Sequence, residues 1–168
     1  MLDDKLNSHA SKIKLLVSDI DGVWTDGTVI MNADGGESVV FSILDGFGIV
    51  SLIKNGIEVA IISGRDNPAV AARAKKLGVS EVHLGFLNKG EIIDKVISAR
   101  GLDKSQVAAI GDDLPDLEMF ERCGLNFAPP NAVDEIKGAA DYVCTKPAGK
   151  GAVREACDLL LAAKDTSQ

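Results

Sequence analysis

Asp19 and Asp21 stand two residues apart, directly after the apolar run Ile13-Lys14-Leu15-Leu16-Val17-Ser18. Carboxylates just past a buried strand lie at its carboxyl end, the edge of an open α/β sheet where ligands bind. One of the two can attack an electrophile while the other handles a proton. Toward phosphorus, Asp19 is a nucleophile that would form an acyl phosphate. Asp21 can protonate the leaving oxygen and then activate the water that cleaves the intermediate. A phosphate ester repels a carboxylate, so this chemistry requires a cation. Mg²⁺ suits it, because it favours hard oxygen ligands and needs only one or two protein carboxylates beside waters and phosphate. Asp112, after the apolar run Val107–Ile110, supplies a further carboxylate at the same edge.

A phosphoryl group in transfer also needs donors for its equatorial oxygens. Ser63 offers a hydroxyl, Gly64 lets the backbone approach closely, and Lys89 offers a compact positive charge. Arg65, two residues after Ser63, reads as a substrate or phosphate contact. Arg73 reads either as a partner for a substrate carboxylate, which guanidinium binds in a fork, or as a solvated or ion-paired helix residue. Asn88, beside Lys89, is a candidate substrate contact and also a good helix cap. Asp113 and Asp116 are expected to hold Lys89 or metal-bound waters, with Asp116 alternatively an acid in the first turn of a helix. Alone, each is ordinary: a D-x-D turn, a Ser-Gly turn, an exposed lysine, a capped helix. The specificity lies in their order, each at or near the end of an apolar run.

The elements that must position them alternate. Ile13–Val17, Glu58–Ile62, Glu81–Leu84 and Val107–Ile110 read as short buried strands. Helices are expected near Gly46–Lys54, Pro68–Leu77, Lys89–Arg100 and Pro115–Arg122. Asn88 with Glu91 is close to a capping box, Pro68 suits a first helical position, and Gly78 and Gly101 suit helix ends. Repeated β-α-β with short connections gives a parallel sheet with helices on both faces. Thr28–Met31 and Ser38–Ser42 break the alternation as a hairpin around Asn32-Ala33-Asp34-Gly35-Gly36-Glu37. The tail carries an amphipathic helix at about residues 150–163, and the last five residues are expected to fray.

The chain has 168 residues, 46% of them hydrophobic but only 4% aromatic. That suits one α/β domain over residues 1–168 with an aliphatic core. A net charge of −7 disfavours nonspecific nucleic-acid binding and anionic membrane surfaces, so an anionic substrate must be held by local cations. Cys123, Cys144 and Cys157 lack any pairing pattern and read as reduced thiols in a cytosolic protein, with Cys123 and Cys157 in the core. Residues 1–12 lack an apolar signal core, and no apolar run approaches membrane-spanning length. The expectation is a soluble, cytoplasmic protein.

Taken together, Asp19-x-Asp21-Gly22-Val23, Ser63, Lys89 and Gly111-Asp112-Asp113-x-x-Asp116 resemble the four motifs of the haloacid dehalogenase-like phosphatase superfamily. The resemblance implies a Rossmann-like three-layer fold, Asp19 as nucleophile, Asp21 as acid/base, and Mg²⁺ held by Asp19, the Asp21 backbone carbonyl and Asp112. Between Asp21 and Ser63 only the hairpin and one helix fit, and between Ser63 and Lys89 only one α-β unit, so no cap domain is expected. The longer stretches Asp19-Ile-Asp-Gly-Val-Trp-Thr-Asp-Gly27, Phe41-x-x-x-Asp45-Gly-Phe-Gly-Ile49, Ser63-Gly-Arg65, Arg73-Ala-x-x-Leu-Gly78, Gly111-Asp-Asp-Leu-Pro-Asp116 and Gly151-Ala-Val-Arg-Glu155 resemble the 3-deoxy-D-manno-octulosonate 8-phosphate phosphatases over nearly the whole chain.

That family implies a phosphorylated sugar acid as substrate and a homotetramer in which the hairpin, about residues 27–43, roofs the neighbouring site. Val29, Ile30, Val39 and Phe41 are then expected to be partly buried against another subunit, and Trp24 to line that interface or the substrate mouth, or to pack in the core. The chain departs from the family pattern at Leu44 and Lys150, where arginine is common, and at Trp24, where leucine is frequent. Nonulosonate 9-phosphate phosphatases, which often carry Glu in place of Arg65, and promiscuous sugar phosphatases are the enzyme alternatives. A non-catalytic oligomerisation module is disfavoured because its acidic motif residues are lost, and here they are present.

Overall fold

The computed structural model of the chain describes residues 4–165. Six parallel strands form its sheet: β1 (Leu15–Ser18), β4 (Glu58–Ser63), β5 (Glu81–Leu84), β6 (Val107–Ile110), β7 (Leu125–Ala128) and β8 (Tyr142–Val143). The strand order is β5-β4-β1-β6-β7-β8. A separate antiparallel ribbon joins β2 (Ile30–Met31) to β3 (Glu37–Ser38). The helices are α1 (Asp4–Ala10), α2 (Ile43–Lys54), α3 (Pro68–Leu77), α4 (Lys89–Arg100), α5 (Leu117–Phe120), α6 (Asp134–Ala139) and α7 (Ala152–Asp165).

Strand alternation sorts the core into two halves. Leu16, Ile61, Ala108, Ile110, Leu125 and Phe127 face one side, under α1, α2, α3 and α7. Leu15, Val17, Ala60, Ile62, Val107 and Ala109 face the other, under α4, α5 and α6. Because β1 is covered on both faces, Leu15, Leu16 and Val17 are fully buried, which is why the sequence there is continuously apolar. From β1 the chain builds outward through β4 to β5, then crosses to β6 on the other side of β1. The topological switch point therefore lies between β1 and β6, which pair directly.

The helix ends follow their capping chemistry. Asn67 accepts from the Ala69 N–H at 2.9 Å, with Pro68 at the first helical position. Gly78 and Gly101 close α3 and α4 with φ of 83° and 60°, a conformation that costs other residues a Cβ clash. Helix α2 starts three residues before the expected Gly46, because Ser42 caps it by accepting from the Asp45 N–H at 3.3 Å. The expected helix over Pro115–Arg122 is instead a 3-10 turn at Leu114–Asp116 followed by the short α5.

The hairpin is shorter than its sequence pattern, with two rungs, Ile30↔Ser38 and Met31↔Glu37. Among the described residues no third strand supports it, and a lone ribbon is marginal. Beyond it Phe41 packs edge-on against Trp24, ring centroids 6.5 Å apart. Trp24 is buried and its Nε1 donates to Ser18 Oγ at 2.8 Å, so the core-packing expectation for it holds within the chain. All three cysteines are free and buried. Strands β7 and β8 and helices α1 and α6 were not expected. Of the tail expected to fray, Lys164 and Asp165 are helical, and residues 166–168 lie outside the described residues. Among the described residues, no helix is long and apolar enough to cross a membrane.

Candidate active site

Asp19 follows β1, Ser63 ends β4, and Gly111-Asp112 follow β6, so three strands bring them to one carboxyl edge beside the switch point. Lys89 arrives from the first turn of α4. There they line a cleft of about 200 Å³ with Asp21, Gly64, Arg65, Leu87, Asp113, Pro115 and Asp116.

Lys89 organises the centre. Its Nζ lies 2.7 Å from Asp19 Oδ1 and 2.6 Å from Asp116 Oδ1, and all three residues are buried. A buried ammonium needs partners, and a buried carboxylate likewise. Burial pulls the Lys89 pKa down, but Asp19 and Asp116 outweigh it and hold it above its ordinary value. Asp116 has no oxygen to spare. Its Oδ1 takes Lys89, and its Oδ2 accepts the Asp112 N–H at 2.8 Å and the Asp113 N–H at 3.2 Å. It thereby fixes both the lysine and the loop that carries Asp112.

Carboxylate oxygens of Asp19, Asp112 and Asp116 lie within 4.8 Å of one another. With one lysine among them the cluster is short of positive charge. Burial first, then repulsion from Asp116, raises Asp19 to about 6, against the pull of Lys89. Burial first, then Asp19 and Asp116, raises Asp112 to about 8. Carboxylate oxygens gathered this closely suit a hard divalent cation. Both oxygens of Asp116 already accept hydrogen bonds, so Asp19 and Asp112 are the better placed of the three to hold one.

The turn after β1 is braced from three sides. The Gly22 N–H donates to Thr25 Oγ1 at 3.2 Å, the Gly22 carbonyl accepts from Asn131 Nδ2 at 3.2 Å, and Asn131 Oδ1 accepts the Ala148 N–H at 3.0 Å. Asp21 Oδ1 accepts from Arg65 NH1 at 2.9 Å, and the other arm of Arg65 pairs with Glu37 of the hairpin. Buried Ser63 accepts the Arg65 N–H on its Oγ at 3.3 Å.

Two expected contacts fall elsewhere. Arg73 does not line the cleft; its NH2 donates to the Ser42 carbonyl at 3.2 Å, against the start of α2. Asn88 is exposed and spends its Oδ1 on the Glu91 N–H at 3.2 Å as the cap of α4. Asp113 caps its own turn through the Leu114 N–H at 2.8 Å and does not touch Lys89. Reading the sequence missed Glu37, which looks like a turn residue, and Asn131, which follows Pro129-Pro130 in a region with no apolar alternation.

A sequence model of haloacid dehalogenase-like hydrolases matches residues 81–156. The 3-deoxy-D-manno-octulosonate 8-phosphate phosphatase of Haemophilus influenzae is 39% identical over 162 residues, covering 96% of this chain and 90% of that protein. The crystal structure of the Moraxella catarrhalis 3-deoxy-D-manno-octulosonate 8-phosphate phosphatase, in complex with a magnesium ion, a phosphate ion and KDO, aligns with TM-score 0.95 at 38% identity. That alignment covers 98% of this chain and 95% of the other. A cobalt-bound Haemophilus influenzae structure aligns with TM-score 0.90 at 38% identity, over 95% and 93% of the two chains. The three-layer parallel sheet, the edge that gathers Asp19, Ser63, Lys89 and Asp112, and likeness over nearly the full length agree: the chain belongs to the haloacid dehalogenase-like hydrolases, in the family of 3-deoxy-D-manno-octulosonate 8-phosphate phosphatases.

Proposed function

We propose that this chain is a Mg²⁺-dependent phosphomonoesterase that hydrolyses 3-deoxy-D-manno-octulosonate 8-phosphate to the free sugar acid and phosphate, acting as a single domain. The observation that carries it is the buried Lys89 held between Asp19 and Asp116, with Asp112 beside them at the switch point.

Asp19 attacks phosphorus through a carboxylate oxygen. The bond from phosphorus to the sugar oxygen breaks, and Asp21 gives that oxygen its proton, leaving a phosphoryl group on Asp19. Water then attacks phosphorus, Asp21 takes its proton, and the acyl phosphate bond breaks to restore Asp19. Lys89, held at 2.7 Å from Asp19 Oδ1, keeps the nucleophile oriented and adds positive charge where the phosphoryl oxygens gather. Ser63 and the backbone at Gly64 supply further donors, and Arg65 faces the substrate carboxylate. Asp19, Asp112 and the Asp21 carbonyl would hold Mg²⁺, which supplies the charge that lets a carboxylate approach a phosphate.

The assembly we propose is a cytoplasmic homotetramer whose hairpin lines the neighbouring site. Ile30, Met31 and Val40 of the hairpin and Ile43, Leu44 and Phe47 of α2 are exposed apolar side chains following one another along the chain, a patch that favours association. Sedimentation showing a fully active monomer would remove the tetramer from this reading.

Phosphate release from 3-deoxy-D-manno-octulosonate 8-phosphate and from a nonulosonate 9-phosphate, with and without Mg²⁺, tests the function. The first ester is expected to have the higher kcat/KM, and the Asp19→Asn protein to release none. Asp19→Asn activity equal to the parent would overturn the nucleophile. Equal rates across many sugar phosphates would point to a promiscuous enzyme.

A further inference from the structure

Arg65 is shared between two carboxylates. Its NH1 lies 2.9 Å from Asp21 Oδ1, and its NH2 pairs with Glu37 of β3. Asn67 Nδ2 stands 3.5 Å from the same Glu37 oxygen. Glu37 is outside the motifs that carry the chemistry, and the two-rung ribbon does not need its side chain for its ladder, which is made of backbone bonds. Its carboxylate is nonetheless turned inward to the mouth of the cleft, where Arg65 is the guanidinium among the lining residues.

We propose that Glu37 sets substrate selectivity by competing with the substrate's carboxylate for Arg65. This rests on the phosphatase reading above. One guanidinium facing two carboxylates leaves that corner with a net negative charge. A third carboxylate is attracted weakly until it displaces Glu37 from NH2, after which it meets the forked geometry guanidinium offers. A neutral sugar has nothing to exchange for Glu37 and gains nothing from its departure. Because Glu37 sits in the hairpin, the exchange also releases the ribbon from the body of its own chain.

The test is steady-state kinetics in Mg²⁺ on 3-deoxy-D-manno-octulosonate 8-phosphate and on glucose 6-phosphate, which lacks the carboxylate. The proteins are the parent, Glu37→Gln, Glu37→Asp, Arg65→Gln and the double variant. Glu37→Gln is expected to raise the ratio of kcat/KM for the acidic over the neutral ester about fivefold, as suits a partly exposed pair, with the change carried by KM. Glu37→Asp keeps the charge and should return most of the ratio to the parental value. In the Arg65→Gln background, Glu37→Gln should no longer move it. An unchanged or lowered ratio in Glu37→Gln, or an equal rise without Arg65, overturns the proposal while leaving the phosphatase reading intact. If the parent hydrolyses neither ester, that reading falls and this inference with it.

Discussion

Gly22 leaves the space that Asp112 fills. A Cβ added at Gly22 would sit 1.9 Å from Asp112 Oδ2 and 2.6 Å from its Cγ. Gly22 also has φ of 80°, in the left-handed region where a side chain is strained. The turn that carries Asp21 and the loop that carries Asp112 are thus fitted to each other through a missing methyl group. Gly22→Ala is therefore expected to push Asp112 off its position and to lower kcat/KM in Mg²⁺ by about 10- to 100-fold, the scale of disturbed metal surroundings. Raising the Mg²⁺ concentration should restore part of the loss. Steady-state rates across a Mg²⁺ titration check this, and an unchanged rate at low Mg²⁺ would count against Asp112 as a ligand.

Lys89 gives a second prediction. Removing its charge in Lys89→Met leaves Asp19 and Asp116 buried and facing one another without their cation. The expected loss of stability is about 3–5 kcal/mol, read from urea unfolding of the metal-free protein. Lys89→Arg should not rescue activity, because a planar fork cannot replace a compact ammonium between two carboxylates. Pairing Lys89→Met with Asp116→Asn should cost less than the sum of the two singles, since one of the two uncompensated charges is then gone.

How much of this the sequence shows depends on whether a residue's environment is local. Asp19, Ser63 and Asp112 were legible because each follows an apolar run, and strand ends in a parallel sheet must share an edge. Lys89 was legible as the start of a capped helix beside that edge. Strands β7 and β8 were not legible: buried Asn126 interrupts the apolar pattern of β7, and its side-chain NH2 finds its partner only through tertiary contact, donating to the Phe120 carbonyl at 3.1 Å. Arg73 illustrates the opposite failure. Its helix position was right, but where a long side chain ends depends on its neighbour, here α2 at Gly46, whose missing side chain admits the guanidinium. Glu37 was invisible for the same reason, since nothing in a polar turn announces which cation its acid will meet.

The acidic cluster predicts a pH dependence. Asp112 stands at about 8 and Asp19 at about 6, both above the ordinary 3.8, first through burial and then through repulsion among the carboxylates. A carboxyl raised in the folded state binds its proton more tightly folded than unfolded. Its contribution to stability is present at low pH and is lost as pH rises through the folded value. The metal-free protein is thus expected to lose thermal stability from these groups between about pH 4 and pH 8. A divalent cation competes with the same protons, so the rise in Tm on adding millimolar Mg²⁺ should be larger at pH 8 than at pH 5. Asp112→Asn should flatten the slope and remove most of the Mg²⁺ effect. Melting curves with and without chelator decide it, and a Mg²⁺ effect that shrinks toward pH 8 would place the cation elsewhere.

Asp45 gives a prediction away from the chemistry. It is buried in the first turn of α2, yet its carboxylate caps the start of α7, accepting the Arg154 N–H at 2.8 Å and the Gly151 N–H at 3.3 Å. Burial raises its pKa, and the two backbone donors with Ser42 only partly offset that. A negative charge at a helix N-terminus is favourable, and here it joins two helices of the same layer. Asp45→Asn keeps the shape but offers an NH2 group where one N–H now finds an acceptor. The expected cost is about 1–3 kcal/mol, with Asp45→Ala losing the acceptors altogether and falling at the upper end. Urea midpoints measure the cost. Hydrogen exchange locates it, because the first turns of α2 and α7 should lose protection together. If only α2 loosens, Asp45 is a local cap and the two helices are held by their apolar faces alone.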